Sequence, residues 1–270
     1  MRAVAVVLVL LPAVLRGQHV GPVFLQLRPH IGDTLRITLE QLTEVTGTPS
    51  GGNPPRGVTT SVSIHSRSIV RSAQQATTTV LTVVDSAVLT STDAHAAAMN
   101  AEAQRALRGQ QLMLELGVDG AVESARDARG TLLPRAAVEA MSAMPAVFPK
   151  GTVSVGETWS REMVLPGAGP TGGVGAARAK AVFRLDSLRR GGSMAYVSML
   201  GEIVPDSGTG VALSGTISGS MQLDRTRGWM TDSHFLVTTR SIITPPPGSA
   251  FPPMRFVTRV TQRLRTMDKR

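Results

Sequence analysis

The chain reads as a β-dominated α+β protein: one large curved antiparallel sheet, or incomplete barrel, of about ten strands with two helices packed in or on it. Three observations predict this. Apolar and polar residues alternate with period 2 along most of the length, as in strands with one wet face. Turn signals built from Gly, Pro, Asp and Asn punctuate that alternation at roughly ten-residue spacing. Aromatic residues make up only 3% of the chain and charged residues 17%; small, β-branched and hydroxyl residues take their place and favour strands and loops.

The elements follow in order. Pro22 and Pro29 discourage a long element before residue 30. After a turn at Gly32-Asp33, Leu35, Ile37, Leu39 and Val45 share one parity, and Arg36, Thr38, Glu40 and Glu44 the other. Gly47 to Gly57 is a Gly/Pro loop. The next strand turns Val58, Val62, Ile64 and Val70 inward and Thr59, Ser61, His65, Arg67 and Arg71 outward. Thr77 to Leu89 is the β-branched run of a more buried strand. The period then changes: Asp93 reads as the N-cap of a helix from Ala94 to Arg108, with Met99, Ala103 and Leu107 on one stripe and Gly109 as its stop. Leu112, Leu114, Leu116 and Val118 alternate again, and Asp119-Gly120 signals a two-residue hairpin. A second helix is expected from Pro134 to Met144.

Phe148 to Pro166 carries a tight turn at Gly156-Glu157 and a strand that begins with Trp159. Beyond a glycine loop at 167–175, Ala177 to Leu188 sets Arg178, Lys180, Arg184 and Asp186 outward, and Met194 to Val204 is apolar on both parities. Leu213, Ile217, Met221 and Leu223 oppose Ser214, Thr216, Ser218 and Gln222. Trp229, Phe235, Val237 and Ile243 share a parity, and a last strand sets Phe256, Val260 and Leu264 against Arg255, Arg259, Arg263 and Arg265. No shift in composition divides the chain, so residues 18–270 read as a single β-rich domain. The phrase Ile31-Gly32-Asp33-Thr34 recurs as Val155-Gly156-Glu157-Thr158, which two related sheet halves, or chance, would produce.

Residues 1–17 read as a secretory signal peptide: Arg2 is the positive start, Ala3 to Leu15 the apolar stretch, and Arg16-Gly17-Gln18 the cleavage region. The apolar stretch is shorter than the ~20 residues that span a bilayer. The chain has no cysteine, hence no disulfide, no thiolate and no cysteine to carry a lipid anchor. These features predict a soluble periplasmic or secreted protein. The net charge of +9 comes from arginine, since only Lys150, Lys180 and Lys269 are lysines. Scattered arginines without stacking aromatics argue against a nucleic-acid partner and suit an anionic membrane surface or polymer. A membrane-spanning barrel needs aromatic girdles at both interfaces, which two Trp, one Tyr and six Phe do not supply.

No catalytic, cofactor-binding or metal-binding residue emerges. Gly167 to Gly172 matches G-x-G-x-x-G, but Pro170 interrupts it and a strand follows where the phosphate site needs a helix. His19, His30, His65, His95 and His234 never fall at a spacing that presents two nitrogens to one metal. The serine-rich Leu213 to Met221 lacks G-x-S-x-G. Asp33 and Glu157 read as turn chemistry, or as paired acids if the two copies of the phrase meet in space. The methionines are filler for an aromatic-poor core or the lining of an adaptable cavity.

The phrase Pro149-x-x-x-Val153-x-Val155-Gly156-Glu157-Thr158-Trp159 resembles a motif of uncharacterised exported bacterial proteins. The resemblance implies the periplasmic lipoprotein-carrier fold, a curved antiparallel sheet closing part-way around helices and binding acyl chains in its concavity. Many such relatives are anchored through a lipidated cysteine, which this chain lacks. The expected function is a non-catalytic exported envelope protein that binds an apolar or lipid-like ligand inside a curved sheet, without a cofactor. The alternative is a structural or adaptor module of the envelope, with a filled core and protein partners.

Overall fold

The computed structural model describes residues 21–49, 54–133, 147–165, 177–205, 212–243 and 253–267. In chain order these form β1 (Val23–Phe24), β2 (Thr34–Pro49), β3 (Arg56–Ala73), β4 (Thr77–Ser91), α1 (Ala96–Leu107), β5 (Gln111–Gly117), β6 (Val122–Asp127), β7 (Thr152–Val153), β8 (Thr158–Leu165), β9 (Ala177–Arg189), β10 (Met194–Pro205), β11 (Ala212–Asp224), β12 (Trp229–Ile243) and β13 (Met254–Met267). One antiparallel sheet of eleven strands runs in the order β6-β5-β4-β3-β2-β13-β12-β11-β10-β9-β8, and β1 pairs with β7. The architecture is the β-dominated α+β class expected, with eleven strands in the sheet rather than about ten. The second expected helix, the glycine loop and the signal segment lie outside the described residues.

The repeated phrase is a repeated structure. Gly32 and Gly156 both take positive φ, 89° and 90°, a region that glycine enters without steric penalty. The Gly32 N–H donates to Val70 C=O, and the Val70 N–H returns to Asp33 C=O. At the second copy Gly156 N–H donates to Leu185 C=O, and Leu185 N–H returns to Glu157 C=O. Each acid caps its own turn: Asp33 Oδ2 accepts the His30 N–H at 3.0 Å and Glu157 Oε2 accepts the Ser154 N–H at 2.6 Å. One phrase launches the run β2 to β6, the other the run β8 to β13, and the two runs meet where β2 pairs with β13.

The sheet curls without closing. Glycines help it bend: a Cβ on Gly201 would lie 2.6 Å from Lys180 O and 2.8 Å from Ile217 Cγ2, room that only a bare backbone leaves. One end of the barrel is sealed by chain. Residues 23–28 cross it, with Leu27 N–H bonded to Val118 C=O and Arg28 N–H to Gly228 C=O. Leu25, Leu27, Val147, Phe148 and Val153 join the core there, beside Phe183, Leu185 and Met221. The buried methionines Met194, Met199, Met221 and Met230 are core filler.

Helix α1 departs from expectation. It begins two residues late, with His95 at the cap position, and Asp93 Oδ1 instead accepts the His95 N–H at 2.9 Å. None of its residues is buried and Met99 is 73% exposed, so it does not plug the barrel. It lies along the β4 edge that β5 leaves free, where Gln104 Nε2 donates to Leu89 C=O. An edge with unpaired backbone groups invites pairing with other chains, and the helix covers it. The Asp119-Gly120 hairpin forms, one residue wider than a two-residue loop: Gly117 N–H bonds Ala121 C=O, and Gly120 takes the left-handed position at φ 91°.

Candidate functional site

Antiparallel pairing places directly opposite residues on the same face of a sheet. One row runs Leu89, Val62, Gln41, Gln262, Phe235, Gly219, Met199, Phe183, Trp159 from β4 to β8. It contains core residues, so it marks the inner face. On β9 to β12 this face is packed shut: Phe183, Leu185, Met199, Leu213 and Met221 are each 2% exposed or less. On β2, β3 and β13 it is different. Leu39, Val45, Val62, Ile64, Val260 and Leu264 are only partly buried and lie outside the core cluster.

This partly exposed wall carries no charge along Leu39–Val45, Val58–Ile64 and Phe256–Thr266 at its inward positions. Its polar groups are neutral: Gln41 and Gln262 face each other across the β2–β13 pair, and Gln41 Nε2 donates to Thr43 Oγ1 at 3.2 Å. The outward positions of the same strands carry Arg36, Glu40, Glu44, Arg67, Arg259 and Arg263. Burying apolar surface is favourable and burying charge is costly, so such a wall accepts an apolar guest and gives a charged one no partner.

One charged side chain faces inward from β8. Arg161 shares the parity of Trp159 and pairs with Ala181. Its guanidinium donates to Phe148 C=O and lies 3.9 Å from Asp119 Oδ2, while its Nε–H is buried without a hydrogen-bond partner. Trp159 stacks on Phe183 at 5.7 Å between ring centres and donates Nε1–H to Val147 C=O at 2.7 Å. With Val147 N–H and Phe148 N–H both bonded to Asp119 C=O, these contacts tie β8 to the β5–β6 turn across the seam of the barrel.

Two depressions of about 400 and 410 Å³ lie on the outer face. Several of their polar groups already have partners: Thr38 Oγ1 with His65 Nδ1 at 3.1 Å, Arg67 with Asp85 at 2.9 Å, Arg263 with Asp232 at 3.0 Å. Asp33 and Glu157 each serve their own turn and do not form an acid pair. Among the described residues no group of three or more His, Asp and Glu is placed to hold a metal ion. No helix among them is long and apolar enough to cross a membrane. The sequence reading assigned no ligand-contacting residue. Gln41 and Gln262 carried a usable signal, being polar residues on an otherwise apolar parity, and so did Arg161 on the parity of Trp159.

No protein-family model matches the chain, and no curated protein matches it in sequence. Solved structures give distant likenesses. A lipovitellin structure concerned with lipid–protein interactions is similar over 88% of this chain at 7% identity and TM-score 0.49, and the chain spans about a quarter (25%) of its length. An outer membrane lipoprotein-sorting protein domain from Vibrio parahaemolyticus is similar over 86% of this chain and 83% of its own, at 7% identity and TM-score 0.21. An outer membrane channel from Pseudomonas putida F1 is similar over 88% and 96%, at 8% identity and TM-score 0.21.

Proposed function

We propose that this is a non-catalytic, exported envelope protein that holds an apolar or lipid-like ligand against the inner face of β2, β3 and β13. The observation that carries the reading is the contrast between the two faces of these strands: uncharged and partly exposed inside, charged and serine- or threonine-rich outside. A packed core would bury Leu39, Val62 and Ile64 as fully as β9 to β11 bury Phe183 and Met221. A wall that stays partly exposed has surface left for a guest, worth about 0.8 kcal/mol for each buried methylene of the ligand. Native mass spectrometry of the protein purified without detergent, with displacement of a fluorescent acyl probe, tests this. Co-purified lipid and saturable probe binding support it; a ligand-free protein that takes up no probe overturns it.

A second reading has an observation of its own. The inner face of β9 to β12 is filled by side chains, as in a scaffold with no ligand. On that reading the protein is an adaptor module of the envelope, and cross-linking in envelope fractions recovers a protein partner rather than monomer alone.

A further inference from the structure

We propose that the outer rim of β12 and β13 docks the barrel on an anionic lipid surface. At the end of the barrel opposite the sealed one, Arg240 stands opposite Val257, and Ile242 opposite Arg255. Cations and aliphatics therefore alternate in a two-by-two checkerboard. All four side chains are exposed, Ile242 at 45% and Val257 at 41%.

Among the described residues the charge here is one-sided. Moving along the outer face towards this end, the last carboxylates described on β2 and β9 to β13 are Glu44, opposite Arg259, and Glu202, opposite Lys180. Beyond them the described positions on β12 and β13 hold Arg240 and Arg255 and no acid. Cations beside a membrane gain from the negative surface potential of anionic lipid, and aliphatic side chains gain by entering the boundary between headgroups and acyl chains. An anionic polymer rewards only the arginines. Alternation with Val257 and Ile242 is what selects a lipid surface. The rim lies on the outer face, apart from the inner wall, and binding of an acyl probe in vesicle-free solution reads that wall separately.

The test is co-sedimentation of the full chain with phosphatidylcholine vesicles, with and without phosphatidylglycerol. The protein is expected to sediment only with the anionic vesicles and to be released by salt. Each arginine contributes about fivefold to partitioning, so R240Q/R255Q is expected to bind about 25-fold more weakly. I242S/V257S is expected to weaken binding while leaving the salt dependence in place. Both variants should keep the wild-type melting temperature and acyl-probe affinity, since their side chains are exposed. Equal sedimentation with neutral vesicles, or unchanged binding by R240Q/R255Q, overturns the proposal. So does binding to duplex DNA or polyphosphate as tight as to vesicles with I242S/V257S unaffected, which makes the rim a polymer site.

Discussion

Truncating Ile64 to alanine separates a ligand-lined wall from a packed one. Ile64 faces inward from β3, pairs with Leu39 and Ala87, and is only partly buried. A fully buried isoleucine loses about 2–5 kcal/mol on truncation, because the lost transfer energy is joined by the cost of a cavity. Here part of the side chain is already wet and the space left behind opens outward, so the expected loss in delipidated protein is about 1 kcal/mol. Phe183→Ala is the internal reference: Phe183 is 0% exposed and stacked on Trp159, and its truncation is expected to cost about 3–5 kcal/mol. With ligand present, Ile64→Ala also loses contact with the guest, about 1 kcal/mol, or about fivefold in the dissociation constant of an acyl probe. Urea unfolding of delipidated protein gives the first figure and probe titration the second. A loss of about 3 kcal/mol or more without ligand, with probe binding unchanged, would place Ile64 in a filled core and remove the basis for carriage.

Three further outcomes follow from the fold. Gly156→Ala and Gly32→Ala should each cost about 1–3 kcal/mol, because both glycines sit at positive φ in matching turns; an unchanged melting temperature in either would refute their equivalence. Gly201→Ala should destabilise by about 1–3 kcal/mol as its Cβ meets Lys180 O and Ile217 Cγ2, and a neutral effect in thermal unfolding would mean the bend does not depend on that glycine. Trp159→Phe keeps the stack on Phe183 but leaves the Val147 carbonyl without its donor, costing about 1–3 kcal/mol. Amide exchange at Val147 and Phe148 should rise in that variant, and an unchanged exchange rate there would show that the seam does not need the indole N–H.

The strands were legible because their parity is clean. Leu35, Ile37 and Leu39 against Arg36, Thr38 and Glu40 is a local pattern, and a one-residue slip would move every apolar side chain into water. The matching turns were legible for a related reason: positive φ and an acid bonding back three residues demand Gly and Asp or Glu at fixed places. What parity cannot show is which inward residues meet other side chains. Leu39 and Met221 read alike in sequence, yet one is partly exposed and the other is 1% exposed, because burial depends on what crosses the barrel. The helix was placed but its role was not, since an alanine-rich stripe packs against a strand edge or a core with the same spacing. Arg161 gains its meaning from Asp119 and Phe148, remote in sequence.

The sheet stays open between β6 and β8. In an order where every neighbour is antiparallel, the first and eleventh strands run in the same direction, so β6 and β8 present each other a parallel edge. The ladder that joins the other strands does not continue across that gap. A segment of chain contacts each edge strand instead. Beside β6, Leu133 N–H bonds Ala125 C=O, and Arg126 bridges to Leu132. Beside β8, Val147 and Phe148 accept side-chain hydrogen bonds from Trp159 and Arg161 and donate their own N–H groups to Asp119. At β6 this cover blunts pairing with other chains. The seam is spanned by two side chains and a short irregular segment, a weaker closure than a ladder of backbone bonds. The part of the inner face that stays partly exposed, on β2, β3 and β13, belongs to the middle of the sheet and not to this seam. The open wall is therefore a property of the strands where the two runs meet, and the seam limits how far the sheet can curl around it.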